Sequence, residues 1–364
     1  MSTLEDFYRN CRQCPRKCGV DRTQYGKAKN CSCNFFNALL SNTGRQRPYT
    51  GFCREPFDLR IAFAGLHFGE EPLITVFGGS GTIFFTGCTL RCVFCQNYQI
   101  SQDGLGRAVD EEEFTDICLK LQAAGAENIN LVTGSHHIPK IAAYLRKARD
   151  RGVTVPFCWN SSAYESLEML ELLRGLVTIW LPDLKTLDSS FAKNLFAAPD
   201  YPETAGRAIQ WMIENNPLKI ESIPEPPDAK PAEWAEPGQP RDKMTSGVII
   251  RHLFMPGHFA ETAAVLEWLK ENADGRAIIS LMNQYTPVNF DEPEKQLAAR
   301  RKILSGLQNR LVTAEEDSDI RDLIDAYDFE YLFYQELTND TSWLPDFTRA
   351  QPFSNKLATP LWHC

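Results

Sequence analysis

The stretch Thr82-Ile83-Phe84-Phe85-Thr86-Gly87-Cys88-Thr89-Leu90-Arg91-Cys92-Val93-Phe94-Cys95 decides how the rest of the chain is read. Its first five residues are β-branched or aromatic, the composition of a short buried strand. Gly87 then turns the chain into a loop with three cysteines at C-x3-C-x2-C spacing and an aromatic residue just before the last. Packing is a poor reason for three thiols within eight residues. A soft metal centre, which takes thiolate ligands, is a good one.

Outward from this stretch the chain alternates. Strand-like runs fall at Thr82–Thr86, Ile129–Thr133, Val153–Trp159, Val177–Leu181, Val248–Phe254 and Ala277–Leu281. Helix-like runs follow most of them: Glu111–Ala124 behind the cap Asp110 and ahead of Gly125, Ile138–Asp150 with Pro139 in its first turn, Tyr164–Arg174, Ala205–Asn215, Ala260–Asn272 and Glu294–Gln308. Strand-then-helix units predict an α/β fold with a parallel sheet and right-handed crossovers. Six units predict a partial (β/α)6 barrel rather than the closed eight-stranded form. Between Lys219 and Ser246 six prolines break the pattern, which predicts a long surface insertion ahead of the fifth strand. Three regions result: a Cys-rich extension over 1–60, the barrel over 61–310, and a C-terminal extension over 311–364 whose aromatic tail packs on the barrel.

Each strand-like run ends in polar or special residues. The first leads to Cys88, Cys92 and Cys95, and the second to Thr133-Gly134-Ser135-His136-His137. The third leads to Asn160-Ser161-Ser162, and the fourth to Asp183-Leu184-Lys185. The fifth carries Arg251-His252 and ends at Met255-Pro256-Gly257-His258, and the sixth leads to Asn283-Gln284-Tyr285. In a (β/α) barrel these ends converge on one face, where active sites are built. Each also has a structural reading. His136 and His137 suit the start of a helix, Asn160 and Ser161 suit turn chemistry, and Asp183 and Lys185 suit an ion pair.

The chain has 12 cysteines in 364 residues. Cys11, Cys14, Cys18, Cys31, Cys33 and Cys53 form a first group, in a segment too poor in apolar periodicity to build a core. Zinc and an accessory iron–sulfur cluster both suit it, and so do reduced thiols without metal. Cys118 and Cys158 lie in apolar surroundings and read as core. The polar N-terminus is no secretory signal and no run is long enough to span a membrane, so a reducing cytoplasmic setting and metal sites are expected rather than disulfides. The net charge of −9, from 38 basic and 47 acidic residues, argues against a nucleic-acid partner.

Gly87-Cys88-x3-Cys92-x-Phe94-Cys95-Gln96-Asn97 resembles the signature of the radical S-adenosylmethionine (radical SAM) superfamily. The segments LVTGSHHIP, WNSSAYE, IWLPDLK, IRHLFMPGH and LMNQYTP resemble, in order, its pyruvate formate-lyase activating enzyme-like branch. The resemblance implies a [4Fe–4S] cluster on Cys88, Cys92 and Cys95, with one iron left for S-adenosylmethionine. It implies reductive cleavage of that cofactor to a 5′-deoxyadenosyl radical, with a one-electron donor of flavodoxin or ferredoxin type. Phe94 and Gln96 would line the adenine side, and Asn97 matches a loop asparagine near the cofactor. Thr133-Gly134-Ser135 takes the place of a Gly-Gly-Glu segment that receives the methionine amino group, and so lacks its carboxylate. Asp183 and Lys185 match an Asp-x-Lys contact, Asn160 and Arg251 lie in matching segments, and His258 is a candidate for a ribose contact. The substrate implied is a backbone glycine of a glycyl radical enzyme. The alternatives are a small molecule, a different protein side chain, or a metal-binding structural or electron-transfer module without SAM chemistry.

Overall fold

The computed structural model describes residues 3–24, 51–225, 241–291, 293–338, 341, 343–354 and 357–364; Cys31, Cys33 and residues 226–240 of the proline-rich stretch lie outside these. Eleven strands are formed among the described residues: β1 Arg60–His67, β2 Ser80–Phe85, β3 Arg107–Ala108, β4 Ile129–Val132, β5 Phe157–Ser161, β6 Val177–Pro182, β7 Lys219–Ile223, β8 Arg241–Leu253, β9 Ile278–Met282, β10 Leu332–Gln335 and β11 Ala358–His363. Strands β2, β4, β5, β6, β8, β9 and β10 lie side by side in chain order and pair in parallel. The sheet stays open, with β1 antiparallel to β2 and β11 antiparallel to β1. The expected partial α/β barrel is therefore formed, and all six strands read from the sequence are in it.

The two faces of the sheet follow the pleat. Ile83, Leu131 and Trp159 are lateral neighbours, and Trp159 meets Trp180. This row packs with Phe114, Ile141, Leu145 and Met212 of the surrounding helices. The opposite face carries Cys158, Ile179, Ile249 and Ile278, which close around Ile74 of the β1–β2 connection. The barrel interior is thus filled from inside by a loop. Glu127 secures that loop by accepting from the backbone N–H groups of Val76 (3.1 Å), Phe77 and Gly78 (2.6 Å).

Several boundaries differ from expectation, each for a local reason. The third strand begins at Phe157 rather than Val153, because the Arg149 guanidinium takes the carbonyls of Val153 and Val155 (2.8 and 2.7 Å). The helix expected over Tyr164–Arg174 shrinks to Leu167–Leu170 and a 3-10 turn, Glu171–Leu173. Its would-be first turn is spent elsewhere: Ala163 is left-handed and the Tyr164 hydroxyl donates to Asp200 (2.8 Å). A helix not expected at all, Ser189–Phe196, starts at Asp188, whose carboxylate accepts from the Phe191 N–H. The described ends of the proline-rich stretch are strands. β7 pairs antiparallel with the first half of β8, and Met244 is driven into the interior beside Ile74 and Ile179.

The sheet also runs past residue 310, since β10 continues the parallel order beside β9. Near the C-terminus Phe347 and Phe353 pack with Phe63, Phe84, Ile100 and Val132. The Phe353 ring lies 5.8 Å from Phe63, 5.5 Å from Phe84 and 5.7 Å from Phe347. Phe353→Ala is expected to cost about 3–5 kcal/mol, read as a lower urea midpoint of the full chain; an unchanged midpoint would show that the tail is not part of the core.

Inside the barrel Glu71 is 9% exposed and accepts from the Ser280 hydroxyl (3.0 Å). Burial pushes its carboxyl up to about 7, against the pull of Arg251. An unfolded glutamate titrates near pH ~4.3, so between that value and about pH 7 the folded state binds the extra proton and stability falls as pH rises. Glu71→Gln should remove this fall. Urea midpoints at pH 5 and pH 8 would show the variant gaining on the parent as pH rises, and parallel profiles would contradict the assignment.

Candidate active site at the carboxyl ends of the parallel strands

The cysteine loop leaves β2 through Gly87, at φ +82°, where a Cβ would stand 2.3 Å from Glu55 Cγ. Glycine is required there by conformation and by space. The backbone N–H groups of Leu90 and Arg91 donate to Cys88 Sγ at 3.3 and 3.4 Å, and Cys95 Sγ lies 3.3 Å from the Ser101 hydroxyl. Cys92 is buried, while Cys88 and Cys95 are half-buried. Burial raises the Cys92 and Cys95 thiols; the Lys185 ammonium pulls both back. Other elements clamp the loop backbone. Arg16 Nε donates to the Thr89 carbonyl (2.9 Å), Gln102 Nε2 to that of Cys92 (2.8 Å), and Arg300 Nη1 to that of Val93 (2.6 Å).

The donor set fits an iron–sulfur cluster. Arg91 is 2% exposed, and its Nε and Nη1 have no hydrogen-bond partner. Burial lowers its pKa to about 9, opposed by the thiols of Cys88 and Cys53. A buried guanidinium needs anionic neighbours, and metal-bound thiolates supply them where thiols do not. Among the described residues no three His, Cys, Asp or Glu side chains are arranged for a single metal ion. A four-iron cluster takes one thiolate per iron and so calls for a wider set.

Beside the loop the strand ends form a charged mouth. Arg251 of β8 donates from Nε to Asp183 Oδ1 (2.9 Å), from Nη1 to Glu70 Oε1 (3.2 Å) and from Nη2 to Asn160 Oδ1 (2.6 Å). Lys185 Nζ donates to the other Asp183 oxygen (2.8 Å). Glu70 also accepts from Asn130 (2.8 Å) and Asn160 (3.2 Å). Burial works against the Asp183 charge, but Arg251 and Lys185 outweigh it and hold the carboxyl below its usual range. Burial likewise opposes the Lys185 charge, which Asp183 and then the Cys92 thiol restore, leaving its pKa raised.

The structure thus brings Asn160, Asp183, Lys185 and Arg251 together at the strand ends, with Lys185 on the side of Cys92 and Cys95. The Phe94 ring stands 6.2 Å from that of Tyr285. Gln96 and Asn97 are half-buried, Asn97 at the start of the short helix Tyr98–Ser101. Thr133 is left-handed at φ +63°, a strained position for a β-branched residue. Gly134 faces the Trp159 indole, which a Cβ would approach to 2.8 Å. The Ser135 hydroxyl donates to Glu165, whose Oε2 is buried without a partner. His258 stands apart from the mouth, its ring 4.7 Å from Phe191 and its Nε2 3.3 Å from the Gly306 carbonyl. Cys118 and Cys158 are fully buried core residues. Sequence reasoning missed Glu70, Asn130, Glu165 and Arg91. The pair Glu70-Glu71 just after an apolar run was a usable signal, had β1 been read as a strand.

Residues 82–219 match the family described as the Radical SAM superfamily. The uncharacterized protein MJ0674 of Methanocaldococcus jannaschii is 26% identical over 337 residues, 90% of this chain and 78% of that protein. Among solved structures, Streptococcus suis SuiB bound to S-adenosylmethionine aligns at 12% identity and TM-score 0.44, over 68% of this chain and 48% of SuiB, so the chain spans about half the length of that protein. A domain of pyruvate-formate lyase-activating enzyme from Bacteroides vulgatus aligns at 11% identity and TM-score 0.35, over 55% of this chain and 92% of that domain. At these scores neither structure bears on branch or substrate. Among the described residues no helix is long and apolar enough to cross a membrane. The cysteine loop, Thr133, Asn160, Asp183 and Lys185 all lie within the residues that match the Radical SAM superfamily.

Proposed function

We propose that the chain is a radical SAM enzyme: Cys88, Cys92 and Cys95 hold a [4Fe–4S] cluster, the charged mouth receives S-adenosylmethionine, and hydrogen is abstracted from a substrate brought to the same face. The observation that carries this reading is the three-cysteine loop at the end of β2, within residues that match the Radical SAM superfamily and on the same sheet as the paired Asp183, Lys185 and Arg251. When bound, cluster and cofactor supply a 5′-deoxyadenosyl radical and methionine from one added electron. The protein's part is to bind, orient and shield. Opposite charges side by side, Asp183 and Glu70 against Arg251 and Lys185, suit the ammonium and carboxylate ends of an amino-acid moiety. Phe94 and Tyr285 offer an apolar wall for a base. The aromatic tail around Phe347 and Phe353 covers the sheet beside the loop and keeps water from that side.

The electron donor in this reading is a one-electron carrier of the ferredoxin or flavodoxin class. The glycine of a partner protein as substrate rests on the segment resemblance alone. A fully ligated metal module without SAM chemistry is the reading that the first experiment opposes.

Electron paramagnetic resonance of the anaerobically reconstituted, reduced protein should show a [4Fe–4S]⁺ signal that changes on adding S-adenosylmethionine; a signal indifferent to it would leave the metal-module reading in its place. Asp183→Asn keeps the shape of the mouth but removes one charge. It should retain iron at the parent level while weakening cofactor binding about 10–100-fold, read by titrating the same spectral change. An unaltered titration would remove Asp183 from the site.

A further inference from the structure

The cysteine loop carries a cation whose role the site above leaves open. Arg91 stands between Cys88 and Cys92 and is 2% exposed. Its own N–H donates to Cys88 Sγ at 3.4 Å. Its backbone lies in the left-handed region at φ +54°, which glycine adopts without strain and a residue with a side chain does not. The loop thus tolerates strain and places a guanidinium immediately before a second cysteine of the signature. Other cations at the loop are engaged by polar groups. Arg16 donates to the carbonyls of Thr89 (2.9 Å), Phe196 (2.5 Å) and Ala197, and Arg300 to the Val93 carbonyl (2.6 Å) and Gln102 Oε1 (3.0 Å). Lys185 is paired with Asp183 at 2.8 Å, which cancels much of its field.

Arg91 differs from all of these. Its Nε and Nη1 are buried without a hydrogen-bond partner, and among the described residues no other arginine or lysine has a buried nitrogen in that state. The Phe52 ring lies 5.8 Å from its guanidinium carbon but is already covered by Arg16 at 3.8 Å, and a ring face offers a quadrupole rather than a charge. Cys53, beside Phe52, is a buried free thiol, as are Cys11 and Cys14, while Cys18 is half-buried. A neutral thiol does not balance a cation. A buried guanidinium with two unused donors is unfavourable by itself. Anionic sulfur brought into the loop resolves it. Each electron added to an iron–sulfur cluster makes it more negative, so a fixed cation and N–H donors to its sulfurs favour the reduced form and raise the potential. With so little of Arg91 exposed, solvent screens that effect weakly.

We infer that Arg91 sets the reduction potential of the cluster held by Cys88, Cys92 and Cys95. Its Nε–H and Nη1–H are donors kept for cluster sulfur, and its charge raises the potential toward that of a donor of the ferredoxin or flavodoxin class. In the step it tunes, one electron leaves the donor and enters the cluster, and no bond is made or broken. The inference rests on the function proposed above for the presence of the cluster, and on nothing about the substrate.

The test is a redox titration of the anaerobically reconstituted full chain, followed by electron paramagnetic resonance without S-adenosylmethionine, beside Arg91→Met and Arg91→Lys. Both variants keep a long side chain on the same backbone. Arg91→Met is expected to hold iron at the parent level and to lower the midpoint potential by at least about 59 mV, a tenfold change in the ratio of reduced to oxidised cluster for one electron. Arg91→Lys keeps the charge and loses the planar fork, and its midpoint should fall between the two. A Met variant with the parent's iron and the parent's midpoint would overturn the inference. Should neither variant retain iron, the parent alone decides. With ¹⁵N in the guanidino groups of its arginines, pulsed resonance of the reduced cluster should show a ¹⁵N hyperfine coupling, and its absence would overturn the inference. A parent that assembles no cluster would remove both this role and the function proposed above. Shifted potentials in a cluster indifferent to S-adenosylmethionine would leave the role of Arg91 standing and remove that function alone.

Discussion

The Arg251 guanidinium sets the terms for this molecule. It is a cation inside an open barrel, and it is tolerable there only because Asp183, Glu70 and Asn160 reach it at once. Those partners come from β6, the β1–β2 connection and β5, so one charge fixes the relative heights of four elements. The backbone follows the same path. The Leu184 N–H donates to the Arg251 carbonyl and the Asp183 N–H to that of Ser161, both at 2.8 Å, which carries sheet pairing beyond the formal end of β6. The carboxyl-terminal rim is rigid because ladder and charge network end at the same residues, and a rigid rim is what orientation of a reactive cofactor demands.

The cysteine loop has no secondary structure of its own over Gly87–Cys95, yet it is held on several sides. Arg16 stacks on Phe52 at 3.8 Å while bonding the Thr89 carbonyl, so the N-terminal region grips the loop at its start. Arg300, from the helix Glu294–Leu304, reaches the Val93 carbonyl and Gln102 at the loop's far end. Gln99, just beyond, exchanges hydrogen bonds with Asp346 (3.0 Å) and the Phe347 N–H (2.7 Å) of the tail. Three regions distant in sequence thus restrain one loop. This accounts for an N-terminal region that adds no strand to the sheet among the described residues.

What could be read from the sequence was what local chemistry determines. The alternating runs gave the six strands, because a parallel strand is apolar on both faces and a helix is not. Asp110 was legible as a cap because nothing distant competes for it. Legibility failed where a distant partner decides. β1 and β11 depend on each other for pairing, and β10 depends on β9. In the site, Asp183, Lys185, Asn160 and Arg251 were visible as polar residues ending apolar runs. Glu70 was not, because its role comes from a loop folded back into the barrel, and no period records that. Arg91 hid inside the signature itself: between ligating cysteines it reads as spacer, and only its burial shows otherwise.

The residues after β4 show why position at a strand end is not enough to assign a role. His136 and His137 looked as well placed for chemistry as Thr133. Both are buried to 1% exposure, and burial, then Arg22, drives the His136 pKa down to about 3 and that of His137 well below its usual value. Neutral rings of this kind are hydrogen-bonding struts. His136 Nε2 is 2.7 Å from the Thr86 carbonyl, at the entrance to the cysteine loop, and His137 joins the Tyr8 hydroxyl (3.0 Å) to Arg22. The left-handed Thr133 turns the chain so that neighbouring residues serve opposite faces: Thr133 stays half-exposed at the rim, while the His136 carbonyl and the His137 ring meet Arg22 of the N-terminal region. The strain at Thr133 is therefore tied to a division of labour. One short segment borders the site on one side, and on the other it fastens the region that holds the second group of cysteines.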